Sequence, residues 1–124
     1  MIAVGVDLVN VPRFAKALAR WGDRLKTRLF SPAELADYCG REDYNNENLA
    51  SVFAAKEAFL KALGTGLADG ISWHDVQVVN DPAGAPGYAI SGRAGELFRG
   101  NSALSLAHEG DYAIAVCVLE KEVA

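Results

Sequence analysis

From residue 48 to residue 63 the sequence NLASVFAAKEAFLKAL runs without a glycine or a proline and stops at Gly64. An uninterrupted, alanine-rich stretch of that length predicts an α-helix, with Asn45 or Asn46 able to cap its start. This is the longest element the chain can form, so the remaining segments must pack around it. At 100° per residue Val52, Phe59, Leu60 and Leu63 share one face, and Lys56 falls among them. An amine there must snorkel past the apolar surface or meet an anion. Glu57 and Lys61, four residues apart, stand at the edge of that face. Two readings are open for them. They can form a surface ion pair worth about 0.3–0.5 kcal/mol. Alternatively, an acid beside two amines is what a metal-bound diphosphate needs: the carboxylate holds a hard cation and the amines offset phosphate charge.

Shorter elements flank this helix. Residues 2–9 (IAVGVDLV) are apolar and β-branched, and read as a strand that ends where Pro12 can open a helix. Asp7 lies on the inner half of that strand. A carboxylate there loses hydration and needs a cation, a metal or several amide donors, unless it is a strand-end group that bonds the next helix. From Pro12 to about Trp21, Arg13, Lys16 and Arg20 fall within an arc of roughly 60°, with Phe14, Leu18 and Trp21 opposite and expected to pack inward. Ser31-Pro32-Ala33-Glu34 is a capping box that predicts a second helix to about Tyr38, before a polar loop over 40–48. Gly64-Thr65-Gly66 reads as a helix C-cap and loop whose bare backbone also lets an anion come close.

The turn Asp69-Gly70 precedes a strand near Val76–Val79, and DPAGAPG separates it from another near Tyr88–Ile90. Ser91 can cap a short helix ending at Gly100. ALSLAH and DYAIAVCVLE read as two strands joined at Glu109-Gly110, the second suited to a sheet centre. His108 precedes that turn, where a solvated histidine is the ordinary assignment. The class is α+β, with no repeat or linker, so residues 1–124 form one domain. A chain of this size hides only about two-thirds of its unfolded surface, so burial between subunits would help without being required.

Net charge is −4 and the sequence pI about 5.1, which argues against nucleic acid as a partner. The average conceals an asymmetry: residues 11–30 carry six basic side chains against Asp23 alone, while the other six bases face fifteen acids. No apolar run approaches the roughly 20 residues that span a bilayer. MIAVGVDLV has no basic lead-in and carries Asp7 mid-run, so it is not expected to be a signal peptide, and the expected location is the cytoplasm. Cys39 and Cys117 lack the spacing of a zinc site or a disulfide framework.

GVDLV at 5–9, FAAKEAFLKALGTG at 53–66 and SLAHEGDYAIAVCVLE at 105–120 together resemble the holo-[acyl-carrier-protein] synthase family, the small 4′-phosphopantetheinyl transferases. The likeness spans the whole chain, and its specificity lies in the combination and order of the three segments. It implies an antiparallel sheet packed on one long helix, and transfer of the phosphopantetheine arm of coenzyme A to a serine of apo acyl carrier protein, or of a carrier domain of a fatty acid synthase. Adenosine 3′,5′-bisphosphate is released and Mg²⁺ is required. By that resemblance Asp7 and Glu57 hold the ion, Lys61 contacts the coenzyme A phosphates, and the chain forms a homotrimer whose sites lie between subunits. His108 would then reach a nucleotide bound mainly by a neighbour.

Such an assignment accounts for the carboxylate inside a strand, since Mg²⁺ takes about six oxygens and two can come from Asp7 and Glu57. Lys56 is a second candidate for the leaving phosphate, and Gly64 and Gly66 for close approach of the nucleotide. The basic helix fits an acidic carrier, with Arg13 matching a basic position of the family helix and Arg20, Arg24 and Arg28 as helpers by spacing. Two departures stand out. Val52 replaces the arginine the family commonly has before the aromatic residue, with Arg41 as the candidate to compensate, and Ser105-Leu106-Ala107-His108 replaces S-x-S-H. Two alternatives remain from the residues: a metal-dependent pyrophosphate hydrolase acting on coenzyme A-like nucleotides, and a non-catalytic carrier-binding subunit.

Overall fold

Apolar runs from opposite ends of the chain pair with each other. β1 (Ile2–Asn10) lies antiparallel to β5 (Tyr112–Lys121), with Gly5 opposite Cys117 and Asp7 opposite Ala115. β4 (Gly100–Glu109) pairs with the other edge of β5, so β5 takes the centre of the sheet, as its length and β-branched content predict. The computed structural model describes residues 1–39 and 46–122. The polar loop expected over 40–48 falls largely outside them, and Arg41 lies outside them entirely.

α3 (Asn46–Leu63) lies across the inner face of this sheet and buries Leu49, Val52, Phe59 and a run of alanines. The approach is closest at Gly5. A Cβ on that residue would collide with the carbonyl oxygen of Ala58 and the amide nitrogen of Ala62. Glycine on the strand and alanine on the helix therefore let β1 meet α3 backbone to backbone. β2 (Val76–Asn80) and β3 (Pro86–Ile90) form a separate antiparallel ladder. Tyr88 of β3 ties that ladder to α3: its hydroxyl donates to the Ala55 carbonyl at 2.6 Å, and its ring lies 5.2 Å from that of Phe59.

The basic helix is longer than expected. α1 (Val11–Leu29) starts at Asn10, whose side chain accepts from the Arg13 amide at 3.0 Å, and continues past Trp21. Gly22, just past the expected end near Trp21, adopts φ 62° and ψ −146° and kinks the helix instead of ending it. Phe14 and Leu18 pack inward as expected. Trp21 does not: it is 56% exposed, at the residue before the kink.

α2 (Pro32–Cys39) opens with the expected capping box. The Ser31 amide donates to Glu34 Oε1 at 2.9 Å, and the Glu34 amide to Ser31 Oγ at 3.2 Å. α4 (Gly92–Leu97) follows Ser91, yet that side chain makes no capping bond. The Asp75 carboxylate accepts from the Ala94 amide in its place. Cys117 is buried and Cys39 half-buried, and both are free thiols. Among the described residues no helix is long and apolar enough to cross a membrane.

The outer face of the sheet has no cover. Antiparallel pairing aligns Val4 with Val118 and Ala103, Val6 with Val116 and Ser105, and Leu8 with Ile114 and Ala107. Val4, Val6 and Leu8 are each more than half exposed. Together with Ile2 they form an apolar stripe of the kind that marks an interaction surface.

Candidate active site

Phe53, Glu57 and Lys61 recur every four residues and descend one side of α3, where they meet the inner edge of β1 and the first turns of α1. Together with Asp7, Arg13 and Phe14 they line an open cleft of about 400 Å³. The strand contact at Gly5 brings Asp7 to this place from the far end of the sequence.

Lys61 does not form the neighbouring ion pair with Glu57 that helix spacing allows. Its Nζ crosses to the strand, 2.8 Å from Asp7 Oδ1 and 3.1 Å from the Val6 carbonyl oxygen. The hydrogen bond to Asp7, helped by the negative charges of Asp7 and Glu57 and opposed by burial, raises the Lys61 pKa above its ordinary value. Glu57 is pushed upward too, chiefly by burial and then by repulsion from Asp7, with Lys61 partly offsetting both.

Two carboxylates on one cleft thus share one ammonium. That donor set suits a hard divalent cation, which prefers oxygen ligands and relieves the repulsion that raises Glu57. Among the described residues no three or more His, Cys, Asp or Glu side chains cluster as a metal cage. The residues present therefore fit an ion shared with an oxygen-rich substrate.

Lys56 departs from its expected role at the phosphates. It is fully buried, with Nζ 2.6 Å from Glu34 Oε1 and 3.0 Å from the Trp73 carbonyl oxygen. Glu34 also accepts from the Val78 amide at 2.9 Å, so α2, α3 and β2 are tied at one buried ion pair. Burial lowers the Lys56 pKa, while the charge and hydrogen bond of Glu34 act the other way. Of the two readings open for Lys56, the anion holds, but nothing local named Glu34, which the capping box already employs.

Other predicted residues are spread around this centre. Gly64 and Gly66 follow α3 with φ of 88° and 59°, and open space surrounds both. The Gly64 amide closes the helix by donating to the Leu60 carbonyl at 2.9 Å. His108 is not part of the cleft: its ring is 66% exposed, and Nδ1 lies 3.2 Å from Glu47 Oε1. Val52 packs in the core. Arg13 stands at the cleft, whereas Arg24 and Arg28, with Trp21 and Leu25, line a second groove of about 530 Å³ farther along α1. The Arg20 guanidinium lies 5.0 Å from the Trp21 ring centroid. Sequence reasoning missed the aromatic wall of the cleft, where Phe14 and Phe53 stack at 5.2 Å; the two lie on separate helices, and only Phe14 was expected to pack inward.

Comparison with known proteins identifies the family of the chain. A family model described as the 4′-phosphopantetheinyl transferase superfamily matches residues 3–117. A holo-[acyl-carrier-protein] synthase of Geobacter sp. (strain M21) is 49% identical over 121 residues, covering 94% of this chain and 96% of that one. The one from Geotalea daltonii is 46% identical over 121 residues, with the same coverage. Among solved structures, an ACPS–CoA complex from Chronobacterium ammoniagenes superposes with a TM-score of 0.86 at 32% identity, covering 99% of both chains. Helicobacter pylori holo-[acyl-carrier-protein] synthase in complex with coenzyme A gives 0.83 at 30% identity, covering 94% of this chain and 99% of that one. With its sheet, its long helix and its carboxylate cleft set against these relatives, the chain belongs to the holo-[acyl-carrier-protein] synthase family of the 4′-phosphopantetheinyl transferase superfamily.

Proposed function

We propose that this protein transfers the 4′-phosphopantetheine arm of coenzyme A to a serine hydroxyl of apo acyl carrier protein or a carrier domain, releasing adenosine 3′,5′-bisphosphate. The observation that carries this reading is the meeting of Asp7, Glu57 and Lys61 on one open cleft at the start of a basic helix. In the reaction the serine hydroxyl gives up its proton, to the Glu57 carboxylate or to water, and its oxygen bonds to the β-phosphorus of coenzyme A. The bond from that phosphorus to the bridging oxygen breaks, and the oxygen leaves on the bisphosphate. Such transfers depend mainly on positioning and on neutralising charge.

Asp7 and Glu57 would hold Mg²⁺, which when bound supplies positive charge to the diphosphate. Lys61, already protonated and aimed into the cleft, stabilises the phosphate that leaves. The bare backbone at Gly64 and Gly66 lets the nucleotide end lie close to the helix terminus. Phe14 and Phe53 give the cleft an apolar wall along which the pantetheine arm can run. The carrier docks on α1, where Arg13, Arg20, Arg24 and Arg28 complement an acidic surface and orient the incoming serine.

Residues 1–124 act as one domain, and the working unit is a homotrimer. The uncovered apolar stripe of β1 and its neighbours on β5 supports assembly through the sheet, and the exposed ring of His108 is then free to serve a neighbouring site once it leaves Glu47. Two free thiols and a coenzyme A substrate fit the cytoplasm.

The deciding experiment incubates the protein with coenzyme A, Mg²⁺ and an apo acyl carrier protein and weighs the carrier. The expected result is a mass gain of one phosphopantetheine arm at a single serine. Breakdown of coenzyme A at the same rate without carrier would make the protein a pyrophosphate hydrolase instead.

A further inference from the structure

We propose that His74 is a positioning residue for the carrier: its ring fixes the second half of α1, and with it Arg24 and Arg28, at a set distance from the carboxylate cleft. This rests on the reading of α1 as the carrier dock.

α1 is not one rigid rod. The backbone of Gly22 breaks the helical path, so residues 23–29 form a second segment whose direction the first does not dictate. That segment contributes Arg24, Leu25 and Arg28 to the second groove, with Trp21 at the joint. Something outside the helix must therefore hold it. Its exit is pinned by Phe30, which is fully buried and whose amide donates to the Lys26 carbonyl at 2.9 Å. The last carbonyls of a helix have no partner within it. The Thr27 carbonyl is one of these, and His74 Nε2 lies 2.7 Å from its oxygen. A carbonyl can only accept, so Nε2 carries the hydrogen in this contact.

His74 is itself held firmly. It is the middle residue of the 3₁₀ turn Trp73–Asp75, and its amide donates to Ser72 Oγ at 3.2 Å, while the Ser72 amide donates to Asp75 Oδ2 at 3.2 Å. Trp73, the residue before it, offers its carbonyl to Lys56 of α3 and packs its ring 5.3 Å from that of Phe53 in the cleft wall. One three-residue turn thus touches α3 beside Glu57 on one side and the second segment of α1 on the other. It serves as the spacer between dock and phosphate site. An acidic carrier must meet Arg24 and Arg28 at the spacing of its own charges, so a spacer of fixed length sets how well the carrier docks.

The test uses the full-length protein with coenzyme A, Mg²⁺ and apo acyl carrier protein, and compares His74→Ala, His74→Gln and Arg24→Glu. KM for each substrate, kcat and Tm are measured for all three. His74→Ala is expected to raise the carrier KM about fivefold, the size of one lost hydrogen bond. KM for coenzyme A and kcat at saturating carrier should stay within about twofold. His74→Gln, which keeps an N–H donor, should recover most of the loss. An unchanged carrier KM in His74→Ala, alongside a raised one in Arg24→Glu, would leave the dock standing and remove His74 from it. Equal rises for both substrates, or a glutamine no better than alanine, would also overturn the positioning role. If neither Arg24→Glu nor His74→Ala moves the carrier KM, the dock itself is misread and the inference goes with it.

Discussion

Lys61 of α3 neutralises Asp7 of β1 directly, through an Nζ–Oδ1 contact of 2.8 Å reinforced by the Val6 carbonyl at 3.1 Å. The ammonium therefore stands in for a cation beside the two carboxylates. Under the proposed function Asp7 would hold the ion, and Lys61 would be released to bind phosphate. The pair is half exposed on the lysine side, so the exchange needs no opening of the core.

Glu57→Gln separates metal binding from folding. A carboxyl whose native pKa is raised contributes fully to stability at pH below the ordinary glutamate range, and that contribution is lost as pH rises through the native value. Metal-free Glu57→Gln should therefore melt higher than wild type at neutral pH, with the difference closing near pH 4, about the unfolded value. Added Mg²⁺ should raise the wild-type Tm and leave the variant unmoved, and turnover should fall about 10³-fold. Scanning calorimetry with and without Mg²⁺ checks this, and an equal Mg²⁺ response in both proteins would remove Glu57 as a ligand.

Lys56→Met leaves Glu34 charged and buried without its partner, which should cost about 3–5 kcal/mol. Adding Glu34→Gln should return part of that loss, because the remaining group is neutral and its carbonyl oxygen still accepts from one of the Ser31 and Val78 amides. Urea titrations of the two variants give the comparison. Identical midpoints would show that no charge is stranded.

Gly5→Ala drives a methyl into the Ala58 carbonyl and the Ala62 amide. Backbone cannot rotate away as a side chain does, so β1 must lift from α3, at a cost of about 1–3 kcal/mol. The same displacement carries Asp7 away from Glu57 and Lys61. Loss of kcat should accompany the lowered Tm. A variant as active as wild type would mean the close contact does not set the site.

Val4→Asp puts a charge in the uncovered stripe, at a residue that does not line the cleft. Light scattering should find the wild type as a trimer and this variant as single chains with an unchanged far-UV spectrum, and turnover should fall with assembly. A wild-type mass of one chain in an active sample would end the shared-site proposal.

Arg13→Glu and Arg24→Glu should differ. Arg13 borders the carboxylate cleft, so reversing it should raise KM for coenzyme A as well as for carrier. Arg24 lines only the distant groove, so its reversal should raise the carrier KM alone, by about tenfold at low salt. Initial rates over a range of both substrates distinguish the two patterns.

What the sequence made legible was mostly local. The span of α3 followed from the absence of breakers, the start of α2 from the Ser31–Glu34 box, and the centre of the sheet from the composition of residues 112–121. Relations that depend on distant chain segments were not readable from pattern. Glu34 as the partner of Lys56 is one, and Lys61 turning from Glu57 to Asp7 is another, since both require knowing how α3 lies on its neighbours. The resemblance brought Asp7 and Glu57 together in advance; helical and strand periodicity alone only marked each as oddly placed. Trp21 shares the Phe14 face on a helical wheel yet stays exposed, since the wheel gives a direction and not whether anything lies there to cover it.

The contact at Gly5 also bears on motion. Where main chain meets main chain there are no side-chain torsions to absorb a displacement, so β1 and α3 shift as one piece. Glu57 sits next to Ala58 at that seam, and Asp7 two residues along the strand from Gly5. The gap between the acids therefore lies where the fold has least give, and adjustment to ligands of different bulk must come from the opposite, α1 bank.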